Sequence, residues 1–316
     1  MWGRVVELAV DNRHAFRKDG FLVVKDLSVE NAEVGRVPLD DIEAVIVTAR
    51  DVTVSRSLLS NLAERNCPVV FTDKRYLPSS VLLPITGHHL QAKRFDAQIA
   101  AGLPLRKRVW ASVIKAKINQ QAAVVAHLEH PDARLRRLAE QVRSGDPSNC
   151  EAQAAKLYWR SVFGKTFRRD RGEPGINSYL NYGYTILRAA TARAIVASGL
   201  HPTLGIHHQN EGNPMRLVDD LMEPYRPFID LQVLELGVGP SDTLSSEGKR
   251  ALVDVLSHDL VADGERSPVG LCIQRTARSL ASIYLGESKA LWMPAPQLPE
   301  KSRSATANSS TAPSEC

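Results

Sequence analysis

Apolar and polar positions along the first third of the chain follow a strand-like pattern. Short apolar runs typical of buried strands occupy residues 4–10, 42–48 and 67–73. The segment 57–66 is helix-like, and Asp19 and Gly20 separate two further strand-like segments, which predicts a two-residue hairpin turn. The pattern therefore predicts a β-rich N-terminal domain over residues 1–87.

After Pro84 and Gly87 the apolar period changes from two to roughly 3.6 and stays there, which predicts a helical domain over residues 88–293. Three helices are predicted from the apolar pattern and the cap residues: about 104–127, 150–163 after an Asn149 cap, and one from Asn177 to Gly199. Together with the strands before them, they make the fold class α+β.

A further helix is predicted after the loop 200–213, because Asn213 and Pro214 have the types of an N-cap and a first helical residue. Pro224 makes Glu223 the end of this helix or the site of a kink. From Pro294 onward the chain is rich in Pro, Ser, Ala and Thr, which predicts a disordered tail over residues 294–316.

The composition, 43% apolar and 24% charged, is that of a globular protein. The length of 316 residues is enough for two domains, each with its own core. No apolar run approaches the roughly 18 residues of a membrane span, and the N-terminus lacks the layout of a signal peptide. The four cysteines are scattered without a CxxC pair, which indicates neither a disulfide framework nor a zinc ribbon. We therefore expect a reducing, cytoplasmic location.

Positive charge is concentrated in one quarter of the chain. Residues 93–171 carry 17 Lys and Arg against 7 Asp and Glu, whereas the whole chain has a net charge of only +5. Such a segment favours a polyanion, usually nucleic acid, although a solvated helix face would have the same composition.

Two histidines and several carboxylates crowd the segment GIHHQNEGNPMRLVDDLMEP, residues 205–224. Imidazole and carboxylate oxygens form a common ligand set for divalent cations, so a metal site competes with a polar surface as the interpretation. Asp220 and Glu223 are three residues apart and can share a helix face, with His208 on the loop before them. Glu151 lies in the first turn of its helix, where an acidic residue also suits the helix dipole.

Several long motifs occur in an order that resembles one protein family. They are EAQAAKLYW at 151–159, PGINSYLNYGYTILRA at 174–189 and GIHHQNEGNPMRLVDDLMEPYRP at 205–227, with VTVSRSLLSNLAERNCPVVFTDKRYLPSS and the basic QAKRFDAQ and KRVWASVIKAKINQQA before them. Together they resemble the CRISPR-associated integrase of spacer acquisition, CRISPR-associated protein one, and most resemble its type II branch. The likeness covers nearly all of residues 1–290.

The resemblance implies an N-terminal β-sandwich-like dimerisation domain followed by a larger all-α catalytic domain. Glu151, His208 and Glu223 match the family's three catalytic metal ligands, and Asp220 matches a supporting acidic position. His207 matches no ligand position. Many members have Asp at the last ligand, where this chain has Glu223.

The implied reaction is attack by the 3′-hydroxyl of a captured foreign DNA fragment on a phosphodiester of a CRISPR repeat, which inserts a new spacer during antiviral adaptation. Water in place of the hydroxyl would give endonuclease activity. Two carboxylates and one imidazole suit Mg²⁺ or Mn²⁺. Basic residues expected to hold DNA phosphates are Arg106, Lys107, Arg108, Lys115, Lys117, Arg168 and Arg169.

The partners implied by the resemblance are a second copy of the chain, a dimer of CRISPR-associated protein two that bridges two such homodimers, and DNA. The DNA would be double-stranded or partly single-stranded prespacer and the CRISPR leader and repeat; in a type II setting the effector nuclease would take part, and no membrane is involved. Two other classes remain open from the residues alone: a metal-free architectural DNA-binding protein and a metal-dependent hydrolase of a small substrate. The second would not explain the basic segment before Glu151.

Overall fold

A computed structural model of the chain describes residues 3–29, 32–239 and 241–300. The strands are β1 Arg4–Leu8, β2 Arg13–Lys18, β3 Phe21–Asp26, β4 Glu33–Pro38, β5 Ile42–Val47, β6 Val52–Val54, β7 Val69–Thr72, β8 Pro78–Leu82, β9 Asp259–Ala262 and β10 Glu265–Pro268. The helices are α1 Arg56–Glu64, α2 Gln91–Ile99, α3 Leu103–His127, α4 Ala133–Gln141, α5 Cys150–Val162, α6 Ile176–Ala197, α7 Arg216–Met222, α8 Arg226–Glu235, α9 Ser246–Asp254 and α10 Val269–Tyr284. The fold is therefore a mixture of α and β structure.

The N-terminal strands form two four-stranded sheets. One has the order β1-β5-β7-β8, with β1, β5 and β7 parallel, and the other has the order β4-β3-β2-β6. The predicted hairpin turn between β2 and β3 is confirmed, because Asp19 and Gly20 both have positive φ angles of 49° and 81°. The helix α1 lies between β6 and β7, within one or two residues of the predicted range.

The region predicted to be all helical also contains a β-hairpin, so that prediction is wrong in this detail. Strands β9 and β10 pair antiparallel across Asp263 and Gly264, whose φ angles are 53° and 86°. An Asp-Gly pair between strand-like residues is the same signal that predicts the first hairpin.

Two predicted helix starts are also wrong, although both helices exist. Gly175 is the N-cap of α6, and Asn177 lies inside the first turn, where its Oδ1 accepts a hydrogen bond from Arg169 at 2.9 Å. Met215 is the N-cap of α7, and Asn213 instead accepts the Met215 backbone N–H at 2.9 Å. Asparagine has both donors and an acceptor, so these two make other hydrogen bonds.

The remaining predicted helices keep their bounds to within a residue or two. The Asn149 side chain caps α5 by accepting the backbone N–H of Ala152, and Gly199 follows α6 with a φ of 62°. After α7 the chain forms a 3-10 turn, Glu223–Tyr225, and continues as α8. The change at Glu223 is the interruption that Pro224 predicts.

The long helix α6 is buried along most of its length and packs against α7, α8, α9 and α10. Gly183 allows α8 to come close, because a Cβ at this position would lie 2.4 Å from Ile229 Cγ2. Each buried large apolar side chain in such a core contributes about 1.5–3 kcal/mol. This packing fixes α8, and with it the turn that carries Glu223.

The predicted disordered tail begins with residues that have defined contacts. Gln120 donates a 2.6 Å hydrogen bond to the backbone carbonyl of Gln297, and Glu300 pairs with Asp259 as an isolated β-bridge. Residues 294–300 therefore do not have the disorder that their composition predicts. The rest of the predicted tail, residues 301–316, lies outside the described residues.

Within the described ranges, no helix is both long and apolar enough to cross a membrane. Cys67, Cys150 and Cys272 are buried free thiols. Burial raises the pKa of Cys67 to about 12, which keeps this thiol protonated at neutral pH. Cys316 lies outside the described residues.

Candidate active site

Two of the three predicted metal ligands, Glu151 and Glu223, contact the same lysine ammonium group. The Nζ atom of Lys117 on α3 lies 2.7 Å from Glu151 Oε1 on α5 and 2.6 Å from Glu223 Oε2 at the α7–α8 turn. The Lys117 side chain is 12% exposed and the Glu223 side chain 5%, so water screens these charges weakly. Three separate helical segments thus bring two carboxylates to one point.

The charges at this point keep Glu223 ionised although it is buried. Burial raises the pKa of Glu223, but the charges of Arg226 and Lys117 outweigh it and hold the pKa below its usual value of 4.5. Burial likewise lowers the pKa of Lys117, yet Glu223 and Glu151 outweigh it and raise the pKa above 10.5. Arg226 supports the pair from the other side, 3.1 Å from Glu223 Oε1.

His208 is oriented by Asp220, the predicted supporting acid. The ring Nδ1 of His208 lies 2.5 Å from Asp220 Oδ1, and this contact raises the pKa of His208 although burial opposes it. When Nδ1 donates to the carboxylate, Nε2 keeps a lone pair that can bind a metal. Asp220 is fully buried, and its carboxylate is taken up by His208 and by the backbone before it, which suits a role in positioning His208.

The loop before α7 is held by the same carboxylate. Asp220 Oδ2 accepts the backbone N–H of Ile206 at 2.6 Å and of His207 at 3.0 Å, and Oδ1 accepts that of His208 at 3.3 Å. The His207 ring stacks on buried Trp110, with centroids 4.3 Å apart and planes 3° apart. His207 therefore anchors the loop, in keeping with its lack of a match to a ligand position.

A cavity of about 640 Å³ adjoins the site, and four arginines line it. Its lining includes His208 and Glu223, with Arg169, Arg171, Arg188, Arg226, Tyr184 and Asn213 around them. Sequence reasoning missed Arg171, Arg188 and Arg226. A usable signal existed in α6, where Asn181, Tyr184 and Arg188 follow the i, i+3, i+7 spacing of one helix face.

The residues predicted to bind DNA fall into three groups. Lys107, Arg108, Lys115 and Arg168 are exposed, as a phosphate contact requires. Arg106 is half-buried beside His207 and His208, and Arg169 lines the arginine-rich cavity, with hydrogen bonds to Asn177 and Asn181. Lys117 is not a surface residue, because its ammonium group pairs with Glu151 and Glu223.

The residues present fit a divalent cation in charge and type. Glu151 and Glu223 already share one cationic group, and His208 lines the same cavity as Glu223. Among residues 3–29, 32–239 and 241–300, however, no three His, Cys, Asp or Glu side chains lie close enough together to hold a metal ion. Lys117 would have to leave before Glu151 and Glu223 could bind one.

A further buried acid, Asp230, lines a cavity of about 170 Å³ together with Glu223. Asp230 accepts hydrogen bonds from Tyr184 Oη at 2.5 Å and from Tyr158 Oη at 3.0 Å. Burial raises the pKa of Asp230 to about 6, although both hydrogen bonds oppose it. We therefore expect Asp230 to change the stability of the protein at mildly acidic pH.

The free energy of unfolding is expected to fall as the pH rises from about 4 to about 6. In this window the folded protein keeps a proton on Asp230 that the unfolded chain has lost. Each unit of rising pH therefore lowers the free energy of unfolding by about 1.4 kcal/mol. The stabilisation is complete below 3.8 and is lost once the pH exceeds the folded pKa. Asp230→Asn should remove this component. Urea unfolding at pH 4.5 and 7.5 measures it, and equal pH dependence in both proteins would contradict the assignment.

Comparison with known proteins gives a family match over most of the chain. The family model described as CRISPR associated protein Cas1 matches residues 8–237. A "CRISPR-associated endonuclease Cas1" of Neisseria meningitidis serogroup C is 41% identical over 209 residues, which are 66% of this chain and 68% of the relative. "CRISPR-associated endonuclease Cas1 2" of Pyrobaculum aerophilum is 28% identical over 273 residues, 81% of this chain and 92% of the relative.

Solved structures of similar fold include a casposase bound to integration product, with a TM-score of 0.78 and 21% identity over 91% of this chain and 92% of that one. TM1797, a CAS1 protein from Thermotoga maritima, has a TM-score of 0.70 and 16% identity over 91% of this chain and all of its own. A Cas6-RT-Cas1–Cas2 complex gives a TM-score of 0.73 at 17% identity, over 94% of this chain and 36% of that one. At these identities the likeness shows the fold.

Proposed function

This chain belongs to the Cas1 family of CRISPR-associated proteins, and on that premise we propose that it is a metal-dependent DNA integrase and endonuclease. It inserts captured foreign DNA fragments as new spacers into a CRISPR array. In this reaction a DNA 3′-hydroxyl attacks a phosphodiester of the repeat. The relatives named as endonucleases support the activity, and the casposase bound to integration product supports a fold able to hold such DNA.

The observation that carries the proposal is the meeting of Glu151 and Glu223 at one cationic group, beside an imidazole held by Asp220. An architectural DNA-binding protein has no need of a buried acid, Glu223, held beside a second, partly buried acid, Glu151, in this way, since isolated buried charges are unfavourable. A small-substrate hydrolase would not need the exposed basic residues of α3 and of the segment after α5. Both features suit an enzyme that acts on DNA.

Glu151, His208 and Glu223 would hold the metal, and Asp220 would keep the His208 ring in orientation. A bound Mg²⁺ or Mn²⁺ stabilises negative charge that develops on phosphoryl oxygens. Arg226, Arg188 and Arg169 line the adjoining cavity and supply positive charge where a DNA phosphate would enter. No protein nucleophile is needed, because the attacking group belongs to the DNA or to water.

The proposed assembly follows the family. Residues 1–87 would form the dimerisation domain and residues 88–293 the catalytic domain. A dimer of CRISPR-associated protein two would bridge two homodimers, and solved complexes named Cas1–Cas2 support this partner. Prespacer DNA, the leader and repeat, and the type II effector nuclease complete the partners, all in the cytoplasm.

The 3′-hydroxyl requirement tests the proposed reaction. Wild-type protein with Mn²⁺ is expected to join a fragment with a free 3′-hydroxyl to a repeat duplex, and a fragment ending in a 3′-deoxynucleotide should give no joined product, since the attacking oxygen is missing. Gel separation of labelled DNA measures both. Nicking of a branched DNA should continue with the 3′-deoxy end, because water replaces the hydroxyl. Joining of the 3′-deoxy fragment, or nicking in EDTA, would contradict the proposal.

Salt dependence tests the proposed DNA contacts on α3. Lys107→Glu with Arg108→Glu should weaken binding to all DNA sequences alike, because phosphate contacts release counterions and read no bases. The slope of log affinity against log salt should flatten by roughly one unit per lost contact. Arg17→Glu with Lys18→Glu is the matched control, since both residues are exposed on β2. If the two double variants had equal affinities and slopes, Lys107 and Arg108 would not contact DNA phosphates.

A further inference from the structure

Lys117 stands where a cation shared by Glu151 and Glu223 would stand. It reaches this point from the middle of α3, with a largely buried side chain, and contacts one oxygen of each carboxylate at 2.7 and 2.6 Å. Two carboxylates brought together without a counter-ion would repel each other strongly in this weakly screened place. The lysine therefore neutralises the pair in the structure.

The cavity next to Lys117 contains an acceptor without a donor. Gln121 lies one helical turn further along α3, is 3% exposed, and its Oε1 has no hydrogen-bond partner among the described residues. Gln121 and Lys117 both line a cavity of about 170 Å³. Residues four apart on a helix are neighbours, so the lysine ammonium can reach this oxygen by rotating its own side chain.

A buried carbonyl oxygen without a donor is unfavourable by itself, and most such atoms in proteins are paired. Because the ammonium group of Lys117 is close by and can rotate, Gln121 Oε1 can accept a hydrogen bond from it in a second arrangement of the same side chains. Arg226, Arg169 and Arg171 line the same cavity and would repel a displaced ammonium. The acid Asp230 also lines it, but both of its oxygens already accept from tyrosine hydroxyls. Gln121 Oε1 still has room for a donor and would accept the ammonium.

We propose that Lys117 is an internal substitute for the catalytic metal: it holds Glu151 and Glu223 together in the metal-free protein and moves to Gln121 when a divalent ion binds. The inference rests on the proposed function, since it takes the two glutamates as metal ligands. Because the ion must displace the ammonium group, Lys117 weakens metal binding and raises the metal concentration at which the site fills.

Calorimetric titration with Mn²⁺ tests the displacement directly. Lys117→Met should bind Mn²⁺ roughly tenfold more tightly than wild type, the usual size of a coupling between two sites, because nothing has to leave the carboxylates. In EDTA its melting temperature should be lower than that of wild type, and Mn²⁺ should raise it further than it raises wild type. Lys156→Met is the matched control, since it removes the same charge from an exposed position on α5 and should titrate like wild type.

Gln121→Met provides a second test in a protein that keeps the Lys117 ion pairs. Removing the unpaired amide oxygen should raise the melting temperature in EDTA, whereas losing this acceptor should weaken Mn²⁺ binding several-fold. In the Lys117→Met background, Gln121→Met should leave Mn²⁺ affinity unchanged. A role in packing alone would change stability and not affinity.

Equal or weaker Mn²⁺ binding by Lys117→Met, with normal binding by wild type, would overturn the displacement and leave the proposed function standing. Unchanged Mn²⁺ affinity in Gln121→Met would overturn it as well. Failure of wild type to bind Mn²⁺, or binding that survives Glu151→Gln and Glu223→Gln together, would contradict the proposed function and the displacement with it.

Discussion

Glu223→Gln is expected to lower the rate of strand transfer in Mn²⁺ by roughly 10³-fold, the loss typical of removing one group that stabilises transition-state charge. The amide keeps the shape of the side chain but lacks the charge that pairs with Lys117 and Arg226. The variant should still fold, because Lys117 keeps its contact with Glu151. Strand transfer is measured with labelled DNA, and folding by cooperative urea unfolding.

Glu235→Gln is the matched control, since Glu235 is exposed at the end of α8 and should leave strand transfer unchanged. Glu151→Gln and His208→Ala should show losses similar to that of Glu223→Gln. Double variants should be little worse than single ones, because residues that act as one unit are not additive. Strand transfer near the wild-type rate in His208→Ala would remove His208 from the site.

Asp220→Ala is expected to lower the free energy of unfolding by roughly 3 kcal/mol and to reduce strand transfer as well. The substitution leaves three backbone N–H groups of residues 206–208 without their acceptor and the His208 ring without its partner. An acid that lay near a metal but made none of these hydrogen bonds would lower the free energy of unfolding of the metal-free protein by less. Urea unfolding of the metal-free protein measures it without interference from metal binding.

Asp219→Ala is the comparison for Asp220→Ala, because Asp219 is its neighbour on α7. Among the described residues, Asp219 accepts side-chain hydrogen bonds from Arg188 and Asn213, and it is partly exposed, so a loss of about 1 kcal/mol is expected. If the two alanine variants were equally stable, Asp220 would not have the organising role that its hydrogen bonds indicate.

The elements that local signals specify could be predicted from the sequence. The Asp19-Gly20 turn needs two residues with positive φ, and the Asn149 cap and Gly199 depend on their nearest neighbours. The second hairpin, at Asp263-Gly264, carried the same signal inside a mostly helical region. The Asp-Gly signal was correct at this position, but the helical apolar period of the surrounding residues led to the prediction of an all-helical domain.

The interior of the site could not be predicted in the same way. Lys117 belongs to a basic helix, and its sequence neighbours Lys115 and Arg108 are exposed. Its partners lie 34 and 106 positions further along the chain, at Glu151 and Glu223, and no local periodicity reports such contacts. The family resemblance named the candidate ligands Glu151, His208 and Glu223, but it did not indicate that a lysine separates two of them.

The most direct test of the proposed metal site is a crystal structure of the protein with Mn²⁺ and DNA, with the anomalous scattering of manganese measured. We expect one peak between Glu151, Glu223 and Nε2 of His208, within about 2–2.5 Å of each, with Lys117 no longer in contact with either carboxylate. A manganese peak elsewhere, with Lys117 still between Glu151 and Glu223, would contradict the assignment of these three residues as the metal ligands.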